Sequence, residues 1–303
     1  MKHGAIVGIV VGAVVLAAVA ATGVWWLSSR PDTADAAALS YLRALEAGDA
    51  DAVDAALAAP LDDAARAAFA SAGVYLRDPR IESVDTTEGR AVVRAEADLG
   101  GTRHPIAVVL TARDGGWAVA PESLATLRVD TSPGDAAWVG DALLPADTDL
   151  DLPPARYVVE AAPRGILAGT QTADVIGGGE VLVVELDAAL APEATALAQE
   201  QLDAYVDACT VDASEVPENC GIRVPWAADL TALESIAFRI DERPEVTLSP
   251  DGTGFDATGG VIVATATGPS RSGGTASYTY RADDWALRGS VTFTGDEMVL
   301  SVR

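Results

Sequence analysis

The sequence predicts an α+β chain in which an N-terminal transmembrane helix precedes a helix-then-sheet unit, a strand-only section and a second helix-then-sheet unit. Three observations carry this. An unbroken apolar run fills Ala5 to Leu27. Apolar residues then recur at helical spacing as far as Gly73 and alternate in the strand manner beyond it. The same order, helix first and strands after, returns from Pro192 to the C-terminus.

The run AIVGIVVGAVVLAAVAATGVWWL holds 23 residues without a charge, and Ser28-Ser29-Arg30-Pro31 follows it. At about 1.5 Å per residue, a helix of that length covers about 34 Å, enough for a bilayer core of about 30 Å. A secretory signal has an apolar region of only about 7–15 residues, although a small-x-small site does occur at Ala18-Val19-Ala20. Cleavage there would leave Trp25 and Trp26 near a new N-terminus, whereas in an anchor they sit at the membrane–water boundary that favours indoles. Residues 1–30 are therefore expected to form a cytoplasmic stub and an anchor. Lys2 precedes the span and Asp32 and Asp35 follow it, which favours an N-terminus inside. The expected location is the cell membrane, single-pass, with the C-terminal domains outside the cytoplasm.

Past Arg30 the chain carries 18 arginines against 45 acidic residues, a net charge of −27, and Lys2 is its only lysine. A body this acidic repels nucleic acid and anionic head groups, so neither is an expected partner. Cys209 and Cys220 lie 11 positions apart in CTVDASEVPENC. Outside the cytoplasm a disulfide is the expectation. Closing so short a loop contributes about 2–3 kcal/mol in the chain-entropy model. A metal site between them would lack a nearby histidine.

Residues 31–121 read as one α+β domain. Leu39, Leu42 and Leu45, widened by Ala38 and Tyr41, stripe a first helix over Asp32 to Ala47. Gly48-Asp49 reads as a helix stop and an N-cap, opening a second helix that ends before Pro60. Asp62-Asp63 opens a third, ending at Gly73. Strands are expected at Ile81–Val84, Arg90–Glu96, His104–Thr111 and, after the turn Asp114-Gly115-Gly116, at Trp117–Val119. Residues 122–190 read as a small β-sandwich, from alternating runs at Leu124–Val129, Arg156–Ala161 and Val181–Leu186 with proline- and glycine-rich turns between them. Gly177-Gly178-Gly179 is expected to be a hairpin turn. Residues 191–303 begin with a helix from Pro192 to about Ala208, striped by Leu197, Leu202, Tyr205 and Val206. Strands follow at Ser235–Ile240, Gly260–Thr267, Thr275–Arg281, Ala286–Thr294 and Met298–Val302. The segment from Arg281 to Leu287 echoes the one from Arg113 to Val119, as if a second polar turn delivered Trp285 onto a strand and the last domain repeated the first.

Ala37 to Ala50, ALSYLRALEAGDA after its first alanine, resembles the first helix of cystatin-like, nuclear-transport-factor-2-like domains, with Trp117 at the place of their turn-Gly-Trp hairpin. The resemblance implies a long helix packed on a curved antiparallel sheet, and it extends more loosely to the last domain. The whole layout resembles membrane-anchored envelope proteins of high-G+C Gram-positive bacteria. Leu143-Leu144-Pro145 and Pro154-Ala155-Arg156-Tyr157 are similar to small β-sandwich envelope modules, without the glycine of their Pro-Gly-x-Tyr turn.

No complete catalytic set emerges. A P-loop needs a lysine that the body lacks, and Gly252, Gly254 and Gly259 have the wrong spacing for a dinucleotide fingerprint, so no cofactor is expected. His3 and His104 would lie on opposite sides of the membrane, which argues against zinc. His104 is the sole candidate base, and with Tyr41 and Trp117 it is a candidate for lining a ligand pocket in the first cone. Asp147, Asp149 and Asp151 place oxygens at alternate positions as the start of a calcium loop does, but Leu152 and Val158 stand where that loop wants glycine and glutamate. The expected function is non-enzymatic binding or scaffolding of another envelope protein or wall component. The alternative is small-ligand binding or hydrolysis inside a cystatin-like cone.

Overall fold

The computed structural model describes residues 33–303. The anchor expected over Ala5 to Leu27 lies outside the described residues, and among those described no helix is long and apolar enough to cross a membrane. The fold is α+β and dominated by sheets.

Helix α1 (Ala34–Ala47) buries Ala37, Ala38, Tyr41, Leu42 and Leu45, one face at helical spacing. Gly48 ends it at φ +64°, and a Cβ there would come within 2.6 Å of the Tyr75 ring. Asp49 caps α2 (Ala50–Ala56) by accepting from the Ala52 N–H, and Asp62 caps α3 (Asp63–Ala70) by accepting from the Ala65 N–H. Strands β1 (Arg77–Thr87), β2 (Arg90–Leu99), β3 (Thr102–Arg113) and β4 (Gly116–Val119) form an antiparallel meander in sequence order. Its inner face, Ala91, Val93, Ala95, Ala97 and Leu99 on β2 with Ile106, Val108 and Leu110 on β3, receives α1.

The next section builds two sheets. One runs in the order β11 (Thr170–Val175), β9 (Ala155–Ala161), β6 (Ala136–Val139), β7 (Ala142–Pro145). The other runs β12 (Val181–Asp187), β5 (Ala125–Ser132), β8 (Leu150–Leu152), with β12 parallel to β5. Short β10 (Leu167–Ala168) and β13 (Ala189–Leu190) pair beside them. The preceding unit reaches into this one. Helix α3 packs on β7, β8 and β9, and Val74 pairs with Arg156 at the end of β9. One contiguous apolar core therefore runs from α1 to β12 and on into the last unit. The expected glycine hairpin at 177–179 is not one: β11 and β12 belong to different sheets, and the glycines carry the chain across between them at φ +91°, +77° and +71°. A Cβ on Gly177 would meet the Ser123 carbonyl at 2.4 Å.

Helix α4 (Pro192–Cys209) buries Ala194, Ala198, Leu202, Val206 and Cys209, so small alanines carry much of its stripe and let it sit close to the sheet, while Leu197 and Tyr205 are half-buried. Beneath it lie β14 (Ser235–Glu242), β15 (Glu245–Leu248), β16 (Gly254–Pro269), β17 (Thr275–Thr294) and β18 (Glu297–Val302). The echo between Arg281 and Leu287 is overturned. No turn exists there, because β17 is continuous for 20 residues and Trp285 pairs with Gly260 in mid-strand. Two opposed bulges on either side of that pair restore the register. Arg281, Asp283 and Asp284 are exposed residues of a long strand, with Ala282 packed against the core between them, whereas Asp114 and Gly115, at φ +35° and +82°, do form a turn.

Candidate functional site

Tyr41 is fully buried on α1, and its hydroxyl has no hydrogen-bond partner among the described residues. Fully buried Tyr157 stands close by and donates to the Pro153 carbonyl at 2.7 Å. Burial drives both phenols well above their ordinary range, with mutual charge repulsion adding to it for Tyr157. Phe69, also fully buried, meets the half-buried Tyr75 edge-on at 5.4 Å between ring centroids. Aromatic rings thus fill the volume under α1. Trp117 lies half-buried on β4 against the same core.

His104 sits at the end of the inner face of β3, opposite Ala97, with Nε2 buried and unpartnered among the described residues. It faces a clamp that sequence reasoning missed. Arg156 on β9 pairs with Asp174 on β11, Nη2 to Oδ2 at 2.8 Å, and its guanidinium lies against Gly100 of the β2–β3 turn. Hydrogen bonding from Arg156 holds the Asp174 carboxyl below its ordinary range, against partial burial, with smaller charge effects from Arg156 and His104. Asp174 and Arg156 lie about 50–70 positions downstream of His104, so no local spacing signals the cluster. Tyr41 is fully buried while His104 and Trp117 are half-buried, and none of the three lines the grooves described below.

Asp149 is ion-paired to Arg128 at 2.7 Å, and Asp151 accepts from the Thr126 hydroxyl at 2.7 Å. Among the described residues no group of three or more His, Cys, Asp or Glu is placed to hold a metal. The disulfide Cys209–Cys220 is formed, with Cα atoms 5.8 Å apart. It locks the end of α4 to a loop whose Cys220 carbonyl accepts from the buried Trp285 indole at 2.8 Å.

Open clefts lie on the last sheet. One of about 540 Å³ is lined by Ser249, Asp251, Phe255, Arg288 and Arg303, and another of about 720 Å³ by Asp203, Glu242, Arg243 and Glu245. Both are shallow grooves of mixed charge. The β17–β18 turn docks on the middle unit: Asp296 accepts from the Trp138 indole at 3.0 Å and the Arg164 N–H at 3.1 Å, and Gly295 donates to Asp135 at 2.8 Å. Arg164 stacks 4.3 Å over the Trp138 ring.

The sheet edges differ sharply in how they are protected. On β1, Pro79, Arg77, Arg80 and two bulges guard the edge. Residues 57 and 58 cover β4. Four-residue β7 ends in Pro145, β8 is three residues long, and β11 presents Thr170, Gln171 and Thr172. Ala213 pairs with Ile236 on the outside of β14. Gln199 and Gln201 of α4 bond edge backbone of β15 and β18 as surrogate strands, at 2.8–3.1 Å. Strand β12 is guarded only at its C-terminal end, where Glu185 and Asp187 are exposed and Gly169 lies against the Asp187 carbonyl. It is regular over seven residues, lacks proline, glycine and basic residues, and exposes Val181 (61 %) and Val183 (52 %).

No family model, curated protein or solved structure matches the chain, so the reading of its function rests on this geometry.

Proposed function

We propose that the protein is a single-pass, membrane-anchored, non-enzymatic module that binds another component of the cell envelope through the outside of its sheets. The observation that carries this reading is the pairing of a filled interior with one edge unguarded over most of its length. Tyr41, Phe69 and Tyr157 occupy the space that a ligand-binding cone would leave open, whereas β12 exposes backbone and valines. The apolar Ala5–Leu27 run and the cysteine pair support a place outside the cytoplasm, tethered to the membrane. Helix α1 over a four-stranded antiparallel sheet is in keeping with a cystatin-like plan for the first unit, and two facing sheets with a sandwich for the second. The full chain, returned to its native membrane and recovered after cross-linking, is expected to carry a stoichiometric partner. Recovery of the chain alone would refute the reading.

A further inference from the structure

We propose that the open edge of β12 receives an extended, basic segment of a partner protein, which becomes the next strand of the β12–β5–β8 sheet. This deepens the partner-binding reading and rests on it.

The backbone argument comes first. Along a strand, successive residues turn their N–H and C=O groups to opposite sides. The Glu180 carbonyl accepts from the Thr126 N–H, and the Ala188 N–H donates to the Ser132 carbonyl, both at 2.8 Å. Even-numbered residues of β12 therefore face β5. Val181, Val183, Glu185 and Asp187 face away; among the described residues the backbone groups of the first three are uncovered, whereas Gly169, next to the β10–β13 pair, lies against the Asp187 carbonyl. Three consecutive outward positions, Val181, Val183 and Glu185, make a template for strand addition, in which main-chain bonds give affinity and alternate side chains give selectivity.

The side chains then define the partner. Val181 and Val183 stand together at one end of the outer face. At the other end, Glu185 lies directly across from Asp130 in the parallel ladder, and neither forms an ion pair among the described residues. Like charges placed directly opposite one another are unfavourable, and a cation inserted beside them relieves the repulsion. Arg128, the neighbour of Val183, is already committed to Asp149. From residue 165 to 222 the chain has 11 acidic residues and no lysine, arginine or histidine. The segment that fits carries β-branched residues against Val181 and Val183 and an arginine or lysine beside Glu185 and Asp187. A second copy of the chain fits poorly. Self-pairing would bring together two edges from a stretch with 11 acidic and no basic residues, with no cation to set beside Glu185 and Asp130.

The test uses the full chain in neutral detergent and a fluorescent probe peptide, acetyl-Val-Thr-Val-Thr-Arg-Thr-Arg-amide, titrated by anisotropy. The Val183 N–H is not part of the β5 ladder, so Val183→Pro removes an outward donor at a position where edge strands tolerate proline. Val183→Pro should weaken binding at least tenfold with an unchanged melting temperature. If that variant melts lower, Glu185→Lys serves instead, since its side chain is exposed. It should weaken the basic probe about tenfold at low salt and leave a probe with glutamines for arginines unaffected. Unchanged affinity in the folded variants overturns the proposal, and so does self-association that Val183→Pro abolishes, because the occupant would then be a second copy. If Val183→Pro retains the cross-linked membrane partner, the partner-binding reading stands and the edge inference falls. If neither chain recovers a partner, the reading itself falls.

Discussion

Replacing Tyr41 with phenylalanine should stabilise the protein, and the neighbouring tyrosine supplies the control. The Tyr41 hydroxyl is fully buried with no partner among the described residues. An unsatisfied buried polar group costs about 1–3 kcal/mol, and Tyr41→Phe removes it while keeping the ring. Tyr157 is equally buried but donates to the Pro153 carbonyl at 2.7 Å, so Tyr157→Phe loses a hydrogen bond and leaves that carbonyl unpaired, a loss of about 1–2 kcal/mol. The two substitutions delete the same atom from similar surroundings and should move stability in opposite directions. At about 2–4 °C per kcal/mol for a chain of this size, thermal melting separates them readily. Denaturant titration with an unchanged slope would show that the native state is affected rather than the unfolded one. A loss of more than about 1 kcal/mol in Tyr41→Phe would refute the reasoning. It would mean that an ordered water or ligand satisfies the hydroxyl, and the interior would then not be filled.

Reducing the disulfide, or replacing Cys209 and Cys220 by serine, should cost about 2–3 kcal/mol. It should also shift Trp285 fluorescence to the red, because the indole is held by the Cys220 carbonyl. Asp174→Asn should destabilise modestly at neutral pH, by less than about 1 kcal/mol, since both partners are about a third exposed and solvent screens them. The Asp174 pKa is lower folded than unfolded, so its contribution is complete above about pH 4 and disappears as the pH falls through the folded value. The melting curves of variant and parent should therefore converge in acid, and a gap that persists there contradicts the assignment. Gln201→Ala removes the bonds to Leu300 N–H and Met298 C=O, and should cost about 1–2 kcal/mol. Hydrogen exchange at Leu300 should quicken while β17 stays protected.

Local order was well legible in the sequence, and long-range order was not. The helices α1 to α3 follow from period and caps, because Gly48, Asp49 and Asp62 act within a few residues of where they stand. The disulfide followed from composition and expected compartment. The strands that escaped, β6, β7, β8, β10, β11, β13 and β15, are two to six residues long, too short for alternation to stand out. The polar run before Trp285 imitated a turn because the outward side of a long strand is polar as well, and only the partner strand distinguishes the two. The parallel pairing of Val181–Asp187 with Thr126–Ser132 spans about 55 positions and leaves no local trace, yet it determines which backbone groups β12 leaves open. The same distance hid the Arg156–Asp174 clamp beside His104. The stripe of the first helix placed Tyr41 on its inner face, and its side chain is fully buried there.

The most direct test of the account is site-specific photo-cross-linking in the native membrane, with the photoreactive residue at 181 on β12 in one chain and at 84 on β1 in another. Both positions are exposed valines on edge strands, and only the first lies on an unguarded length of edge. The account predicts a discrete adduct with one other protein from position 181, lost in Val183→Pro, and none from position 84. Equal labelling from both positions, or an adduct only from position 84, would contradict it.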